Sequence, residues 1–325
     1  MKLNQYFAVA LLAFQSYSYS FAQEKIVVVD VNNPTADINK NMWGVFFEDI
    51  NMGADGGLYA ELVKNRSFEF FRPMMGWQNV GPVKEANYLI LNRQHNNDAN
   101  PRYLQVSKSE ATPIGLRNEG FRGMGVKEGL TYDFSVLYRQ AKAGITVKVE
   151  LLDSAGVIIG GTTLLPAHAD GKWHSQEVSF KSNKTDKKAK LQIWFDGAGT
   201  LDLDMVSLFP TDTWKGRKKG LRADMVQVLA DLKPGFLRFP GGCIVEGFDL
   251  AQRFQWKKTV GPIENRQLIV NRWNYGFAHR MTPEYFQTFG LGFFEYFLLA
   301  EDLGAEPLPI INCGMACQYN SGELV

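Results

Sequence analysis

The stretch GFLRFPGGC at residues 235–243 decides the fold, because a short apolar run there ends on a proline and two glycines. The run at residues 235–240 is too short for a helix and has the composition of a buried strand. The preceding residues, 222–232, repeat apolar side chains at helical spacing on one face. The order helix, strand and glycine turn is typical of a protein built from alternating β and α elements.

The same alternation continues downstream of this turn. Residues 289–303 have helical spacing, and Gly304 follows them where a C-terminal glycine cap is expected. Residues 307–312 are apolar again and predict another strand that ends on Asn312. Strand, loop and helix in this order indicate part of a β/α barrel.

The N-terminal part of the chain has the same alternation of predicted strands and helices. Residues 25–30 (KIVVVD) are β-branched and predict a strand, and residues 41–50 form a second apolar run. A glycine-rich loop at 53–57 follows, and residues 58–65 have helical spacing. A first β/α unit is therefore predicted before residue 76.

Between residues 76 and 210 the pattern changes to short alternating segments separated by Gly, Asn and Asp. Regular short strands with turn signals, uninterrupted by a helix-length amphipathic run, are typical of an all-β sandwich. The segments that carry this prediction are 103–106, 132–138, 146–152, 175–180, 191–195 and 201–208. We therefore expect an α/β fold, about the first three strands of a (β/α)8 barrel, with a β-sandwich inserted after the first β/α unit.

The predicted domain organisation has four parts. They are a signal peptide (1–22), an N-terminal strand with the first β/α unit (23–75), the inserted sandwich (76–210) and the continued barrel (211–325). The signal peptide is predicted from Lys2, the apolar run at 8–14 and a small-x-small site ending at Ala22. A buried first helix is the alternative, and the polar residues that follow the short apolar run disfavour it. We expect export, to the periplasm or the extracellular space.

The composition excludes several classes of partner. The 325 residues carry a net charge of +1, so neither nucleic acid nor an anionic membrane surface is an expected partner. No other segment is long and apolar enough to span a bilayer. The three cysteines are an odd number, and Cys313 and Cys317 have no nearby histidine to complete a zinc set. We expect no metal site and no cofactor.

Candidate site residues lie at the ends of the predicted strands. In a β/α barrel the C-terminal strand ends face the active site. They carry Glu48 and Asp49 on the first strand, the turn at 240–243 on the second and Asn312 on the third. A carboxylate, an amide and a glycine turn that brings backbone close suit a hydroxyl-rich ligand.

Each feature also has a plain structural interpretation. Glu48 could be a solvated acid, the two glycines could form a simple turn, and Asn312 could cap the segment that follows it. Cys243 could be an inert buried thiol. The residues alone therefore predict a β/α-barrel enzyme that acts on carbohydrate, with these alternatives open.

Four long stretches resemble glycoside hydrolase family 51, the α-L-arabinofuranosidases, in the longer form shared by plants and some bacteria. They are NMWGVFFEDINMGADGGLYAELVKNRSFE (41–69), GFLRFPGGCIVEGFD (235–249), TVGPIENR (259–266) and GLGFFEYFLLAEDLGAEPLPIINCG (290–314). The inserted block is similar to the family's carbohydrate-binding-type jelly roll at 116–139 and 201–210. The resemblance implies a retaining hydrolase that releases terminal α-L-arabinofuranose from arabinan or arabinoxylan, with an arabinose-containing plant polysaccharide or oligosaccharide as its partner.

The resemblance also implies roles for individual residues. Glu48 corresponds to the acid that binds arabinose hydroxyls, and the turn at Gly242 brings Cys243 to the position of a substrate-binding asparagine in shorter members. Trp273 corresponds to an aromatic wall of the sugar pocket. Asn312 belongs to the same substrate-binding set, and we expect it, like Arg238, to support the site.

The same resemblance implies that no catalytic residue lies in this chain. A retaining glycosidase needs two carboxyl groups about 5–5.5 Å apart. In this family they are glutamates on strands four and seven, and the acid/base follows an asparagine. The only Asn-Glu pair here is Asn118-Glu119, within the predicted sandwich. We expect the catalytic glutamates beyond Val325, no catalytic role for Glu246, Glu295 or Glu301, and an inactive fragment.

The alternative function is a carbohydrate-binding module with a vestigial barrel segment. Trp77, Trp173 and Trp194 would then be aromatic platforms for sugar rings. We favour the other interpretation, in which they are core residues of a sandwich that only braces the barrel.

Overall fold

The computed structural model describes residues 25–84, 87–95, 97–109, 112–276, 284–317 and 319–325. The predicted signal peptide lies outside these residues. The chain divides into two units, residues 1–39 and residues 40–325. No helix in the described part of the chain is long and apolar enough to cross a membrane.

The strand predicted at residues 25–30 is wrong. These residues are exposed and form no strand in the structure. A β-branched sequence needs a second strand to satisfy its backbone groups. The described residues of its own unit, 25–39, contain no strand that could pair with it.

Strands dominate the described residues from 40 onward. In chain order they are β1 (Val45–Phe46), β2 (Trp77–Val80), β3 (Tyr88–Leu91), β4 (Tyr103–Lys108), β5 (Ile114–Asn118), β6 (Met124–Val126), β7 (Thr131–Arg139), β8 (Ile145–Leu152), β9 (Ile158–Leu164), β10 (His174–Lys181), β11 (Asp186–Gly197), β12 (Gly199–Pro210), β13 (Phe236–Phe239), β14 (Ile269–Val270), β15 (Phe286–Gln287) and β16 (Glu306–Pro309).

The described helices are fewer. The α-helices are α1 (Ala223–Asp231), α2 (Cys243–Glu246) and α3 (Phe293–Leu303). Short 3-10 helices lie at Lys40–Met42, Trp214–Gly216, Trp256–Thr259, Ile263–Asn265 and Arg272–Gly276. The predicted helix before β13 is confirmed, and α3 ends at Gly304 with a φ of 65°, the left-handed cap expected from the sequence.

The predicted β-sandwich is confirmed. One sheet has the order β10-β7-β12-β4-β3, and the other has the order β2-β5-β11-β8-β9 with β6 also paired to β11. Each of the six predicted segments lies within an observed strand. Burial alternates along β10, whereas every residue at 201–208 in β12 is buried. Phe134, Leu191 and Phe195 are among the fully buried residues of that core.

A third sheet, which is parallel, carries the β/α part, with the order β1-β13-β16. Its residues register as Val45 with Leu237 and Phe236 with Glu306. α3 packs on this sheet, where the Phe239 and Tyr296 rings stack with centroids 4.8 Å apart. Three parallel strands in the predicted order are therefore present.

The helix predicted at residues 58–65 is wrong. This segment, which we call the clamp segment, is buried on almost every side. Its backbone bonds to distant partners: Ala60 N–H donates to the Gly220 carbonyl over 3.2 Å, and Leu62 N–H donates to the Leu208 carbonyl over 3.0 Å. Tertiary hydrogen bonds therefore replace the intrahelical bonds that the spacing suggested.

Two buried side chains tie the clamp segment to the sandwich. The Asn118 amide donates to the Lys64 carbonyl over 2.9 Å and accepts from the Lys64 N–H over 3.1 Å. Glu61 accepts from the Leu208 N–H over 2.9 Å and pairs with Arg66 at 3.2 Å. Asn118 therefore has a structural role at this junction.

Candidate functional site

Glu48 lies just beyond β1 and reaches the glycine turn after β13. Its Oε1 accepts hydrogen bonds from the Gly242 N–H over 3.1 Å and from the Ile244 N–H over 3.0 Å. The carboxylate thus satisfies amide groups at the start of α2, which have no partner within the helix. No described residue donates a hydrogen bond to Oε2.

The two glycines of this turn have different roles. Gly241 has a φ of 153°, and a Cβ there would lie 2.6 Å from Glu48 Cγ and 2.9 Å from Ile244 Cγ1. Gly242 has a φ of −120°, and a Cβ there would have its nearest neighbour, Phe46 Cζ, at 3.8 Å. The close packing over Glu48 therefore requires glycine at 241, whereas Gly242 contributes its backbone N–H. Sequence reasoning treated the two glycines as one turn and named Gly242 for binding, and it did not separate these two roles.

Cys243 and Asn312 meet at α2. Cys243 is the first residue of this helix and is half-buried, and its thiol is free, as are those of Cys313 and Cys317. The Asn312 amide donates to the Val245 carbonyl over 2.8 Å, and its Oδ1 accepts from the Gly314 N–H over 2.7 Å. Asn312 therefore holds α2 against the loop that follows β16.

Trp273 lies in the 3-10 helix Arg272–Gly276, which contacts α2. Its backbone N–H donates to the Asn271 Oδ1 over 2.8 Å. The Arg272 guanidinium lies 5.6 Å from the centre of the Trp273 ring. All five residues that the sequence singled out for binding (Glu48, Gly242, Cys243, Trp273 and Asn312) therefore belong to segments that meet around α2.

Asp49 differs from its neighbour Glu48, because it is fully buried. Its Oδ1 accepts from the Ala54 N–H over 2.8 Å and from the Tyr285 hydroxyl. Burial raises the pKa of the Asp49 carboxyl from 3.8 to about 7, although the Tyr285 hydrogen bond acts in the opposite direction. Asp49 therefore anchors the glycine-rich loop and has no access to a ligand.

Asp55, the next residue after Ala54, anchors the middle of this loop. It accepts from both the N–H and the hydroxyl of Thr288, each over 2.7 Å. Burial raises the pKa of the Asp55 carboxyl, and these two hydrogen bonds partly offset that effect. Sequence reasoning missed Thr288 and Tyr285, because nothing in their local pattern relates them to a loop more than 220 residues upstream.

Other charged candidates are engaged elsewhere. Glu295 forms a two-pronged pair with Arg266, with nitrogen–oxygen distances of 2.8 and 2.9 Å, and also accepts from the Gly292 N–H. The Arg238 guanidinium lies 4.5 Å from the centre of the Phe46 ring. Within the described ranges no group of three or more His, Cys, Asp or Glu side chains is placed to hold a metal ion.

The three tryptophans of the sandwich occupy different environments. Trp77 is in the core, and Trp173 is half-buried with its ring edge against Tyr103. Trp194 lies across Gly115, where a Cβ would come within 2.9 Å of the indole Cε3. Its Nε1 donates to Glu150 over 3.0 Å. Glycine thus lets this indole lie close against the sheet.

Trp194 lines a groove of about 510 Å³ on the six-stranded sheet. Glu150 accepts from Gln192 over 3.0 Å and pairs with Lys148 at 2.7 Å, and Gln192 in turn accepts from Arg117. The groove therefore combines an aromatic surface with a hydrogen-bonded row of polar side chains.

Comparison with known families matches both parts of the chain. Residues 228–325 match the α-L-arabinofuranosidase 1 domain, and residues 60–199 match a carbohydrate binding domain. The first match contains α2 and the segments of Trp273 and Asn312, and the second contains most of the sandwich.

Individual relatives agree with these matches. An extracellular exo-α-L-arabinofuranosidase of Streptomyces chartreusis is 38% identical, over 88% of this chain and 34% of the relative. α-L-Arabinofuranosidase 2 of Arabidopsis thaliana is 36% identical, over 95% of this chain and 48% of the relative. The chain therefore spans half or less of the length of these relatives.

A solved structure shows the same fold. The arabinose-bound α-L-arabinofuranosidase MgGH51 superposes with a TM-score of 0.79 at 31% identity, covering 90% of this chain and 47% of that one. The chain belongs to glycoside hydrolase family 51, the α-L-arabinofuranosidases.

Proposed function

We propose that this chain forms one edge of the sugar pocket of an exported α-L-arabinofuranosidase. The whole protein would release terminal non-reducing α-L-arabinofuranose from arabinan or arabinoxylan with retention of configuration. The observation that carries the proposal is the meeting of Glu48, the glycine turn and the segments of Trp273 and Asn312 around α2.

Each residue has a distinct part in this pocket. Glu48 Oε1 is occupied by the turn, so Oε2 accepts from the sugar hydroxyls. The Cys243 thiol and the Trp273 ring line the sugar, and Asn312 supports α2 from behind. The short helix is thus the shared support for the pocket edge.

The parallel sheet β1-β13-β16 supports placing this edge in a (β/α)8 barrel, as its first three strands. The domain limits proposed from sequence, 23–75, 76–210 and 211–325, assign the sandwich as an insertion between barrel segments. Export to the periplasm or extracellular space is proposed from the signal-like N-terminus, and a relative named as extracellular supports it.

Catalysis by this chain alone is not part of the proposal. A retaining mechanism requires a nucleophile and an acid/base about 5–5.5 Å apart. Around α2, Glu48 holds the turn and Asp49 is buried, and Glu295 is paired with Arg266. We propose that the two catalytic glutamates lie outside the 325 residues.

The test combines an assay with a binding measurement. The chain is expected to release no nitrophenol from 4-nitrophenyl α-L-arabinofuranoside and to bind L-arabinose weakly in calorimetry. Glu48→Ala should abolish that binding, whereas Glu301→Ala, at an exposed position on α3, should not change it. Turnover above a blank would contradict the missing catalytic pair, and arabinose binding unaffected by Glu48→Ala would contradict the site.

The Trp194 groove supports a second candidate function, retention of polysaccharide by the sandwich. An indole that lies close against a sheet, beside Glu150, Gln192 and Arg117, offers a stacking surface and hydrogen-bond partners for a sugar chain. Trp77 is excluded from this role because it is buried in the core.

Binding to insoluble arabinoxylan separates the two candidates. The full chain should be retained in a pull-down, and Trp194→Ala should reduce retention about tenfold or more, consistent with the loss of one stacking contact. Trp173→Ala removes a half-buried indole outside the groove and serves as the control. Equal retention of wild type and Trp194→Ala would exclude the groove.

A further inference from the structure

Asn271 is a fully buried amide between β14 and the 3-10 helix that carries Trp273. Burial of a polar side chain is unfavourable unless its hydrogen bonds are made. The partners of Asn271 therefore indicate why it is placed there.

The side chain of Asn271 connects two parts of the proposed pocket. Its Nδ2 donates to the carbonyl of Asp49 over 2.9 Å, and its Oδ1 accepts from the N–H of Trp273 over 2.8 Å. Asp49 is the neighbour of Glu48 in sequence. One amide therefore links the end of β1 to the backbone of Trp273.

The backbone of Asn271 is held as well. Its N–H donates to the Tyr285 carbonyl over 3.0 Å, and its carbonyl accepts from the Asn274 N–H over 3.1 Å. Tyr285 also contacts the segment that follows β1, because its hydroxyl donates to Asp49. Asp49 is thus connected to the segment of Trp273 twice, through the Asn271 amide and through the Tyr285 hydroxyl.

Asparagine suits this position because the link needs a donor and an acceptor on one short side chain. Aspartate keeps the acceptor and loses the donor, and alanine loses both. In either case the buried carbonyl of Asp49 loses its amide donor from residue 271.

We propose that Asn271 is a positioning residue that fixes Trp273 relative to Glu48, and thereby sets the affinity of the pocket edge for L-arabinose. This inference rests on the proposed function. Asn271 touches no reacting group, so its effect is on binding and on the environment of Trp273.

Fluorine NMR of the full chain labelled with 5-fluorotryptophan tests this inference. Trp273→Phe assigns the resonance of Trp273 among the seven tryptophans. Asn271→Ala should shift or broaden that resonance while most others stay in place, and should weaken L-arabinose binding about tenfold. Asn271→Asp preserves the shape and the acceptor but sets a carboxyl oxygen against the Asp49 carbonyl, so it should also shift the Trp273 resonance and weaken binding.

Asn118→Ala is the matched control, because it removes an equally buried amide from the sandwich junction. It should leave the Trp273 resonance and arabinose binding unchanged. An unmoved Trp273 resonance in both folded Asn271 variants would overturn the inference, as would a moved resonance with unchanged affinity. Failure of the wild-type chain to bind L-arabinose would instead reject the proposed function, whereas the Trp273 resonance would still report whether Asn271 positions Trp273.

Discussion

The β-sandwich and the β/α part of this chain are built in different ways. β11 and β12 of the sandwich are 12 residues long, whereas β1 and β13 have two and four. The sandwich encloses its own core between two sheets. The β/α part leaves large apolar side chains such as Phe294 and Ile311 about 60% exposed.

The two regions are therefore held together by different kinds of interaction. The sandwich is stabilised by many equivalent apolar contacts, so its energy is distributed over a large core. The candidate pocket is held by a few specific polar contacts to Glu48, Asp49, Asn271 and Asn312. Changes in the first region should therefore affect unfolding, and changes in the second should affect local geometry.

The largest effect is expected from Phe195→Ala in β11, because this ring is fully buried in the sandwich core. The cavity should lower the free energy of unfolding by about 3–5 kcal/mol. Urea denaturation followed by far-UV circular dichroism measures it. Val157→Ala, at a 59% exposed position, should change it by less than about 0.5 kcal/mol. A loss below about 1 kcal/mol for Phe195→Ala would show that the sandwich core does not dominate the free energy of unfolding.

A smaller effect is expected from Gly241→Ala in the pocket turn. A Cβ at this φ clashes with Glu48 and Ile244, so the free energy of unfolding should fall by about 2–4 kcal/mol. Gly242→Ala, one residue later, should cost less than Gly241→Ala, because the nearest neighbour of its Cβ would be Phe46 Cζ at 3.8 Å, an ordinary van der Waals distance. Thermal unfolding of the two variants measures the difference. Equal losses would contradict the separate roles of the two glycines.

The smallest effect is expected from Asp49→Asn, and it should depend on pH. The folded pKa of Asp49, about 7, lies above its ordinary value of 3.8, so the folded chain binds more protons between these pH values. Its contribution to stability should therefore fall as pH rises from about 4 to 7 and then level off. Asparagine mimics the neutral acid and removes this dependence.

Urea denaturation at pH 5 and pH 8 measures this contrast. Asp49→Asn should be about 1–3 kcal/mol more stable than wild type at pH 8, with a smaller difference at pH 5. Lys108→Gln, at another buried charge in the sandwich, controls for a general effect of removing charge. A wild-type advantage at pH 8 would mean that Asp49 is ionised and stabilising there.

Much of the fold could be predicted from sequence where a local pattern decides the structure. The sandwich strands follow from alternation, and α3 with its cap at Gly304 follows from helical spacing and a glycine. The clamp segment could not be predicted in this way, because its backbone partners, such as Gly220 and Leu208, are about 150 residues away.

The candidate site shows the same limit. Glu48, Cys243 and Asn312 could be found because each lies at the end of a predicted strand or in the turn after it. Asn271 and Tyr285 could not, because their role depends on contacts more than 220 residues away, with Asp49. Sequence also could not assign the strained glycine to 241, since that assignment depends on φ angles and on the approach of Glu48.

The bonds of Asn118 and Glu61 have a consequence for how a polymer would be handled. An inserted module on a flexible tether would sample many distances from the pocket, and its benefit would depend on linker length. Here the insertion is fastened to the clamp segment by buried hydrogen bonds, so the Trp194 groove keeps one separation and direction from Glu48. If the groove and the pocket both hold sugar as proposed, the spacing between them is set by the fold and not by a linker.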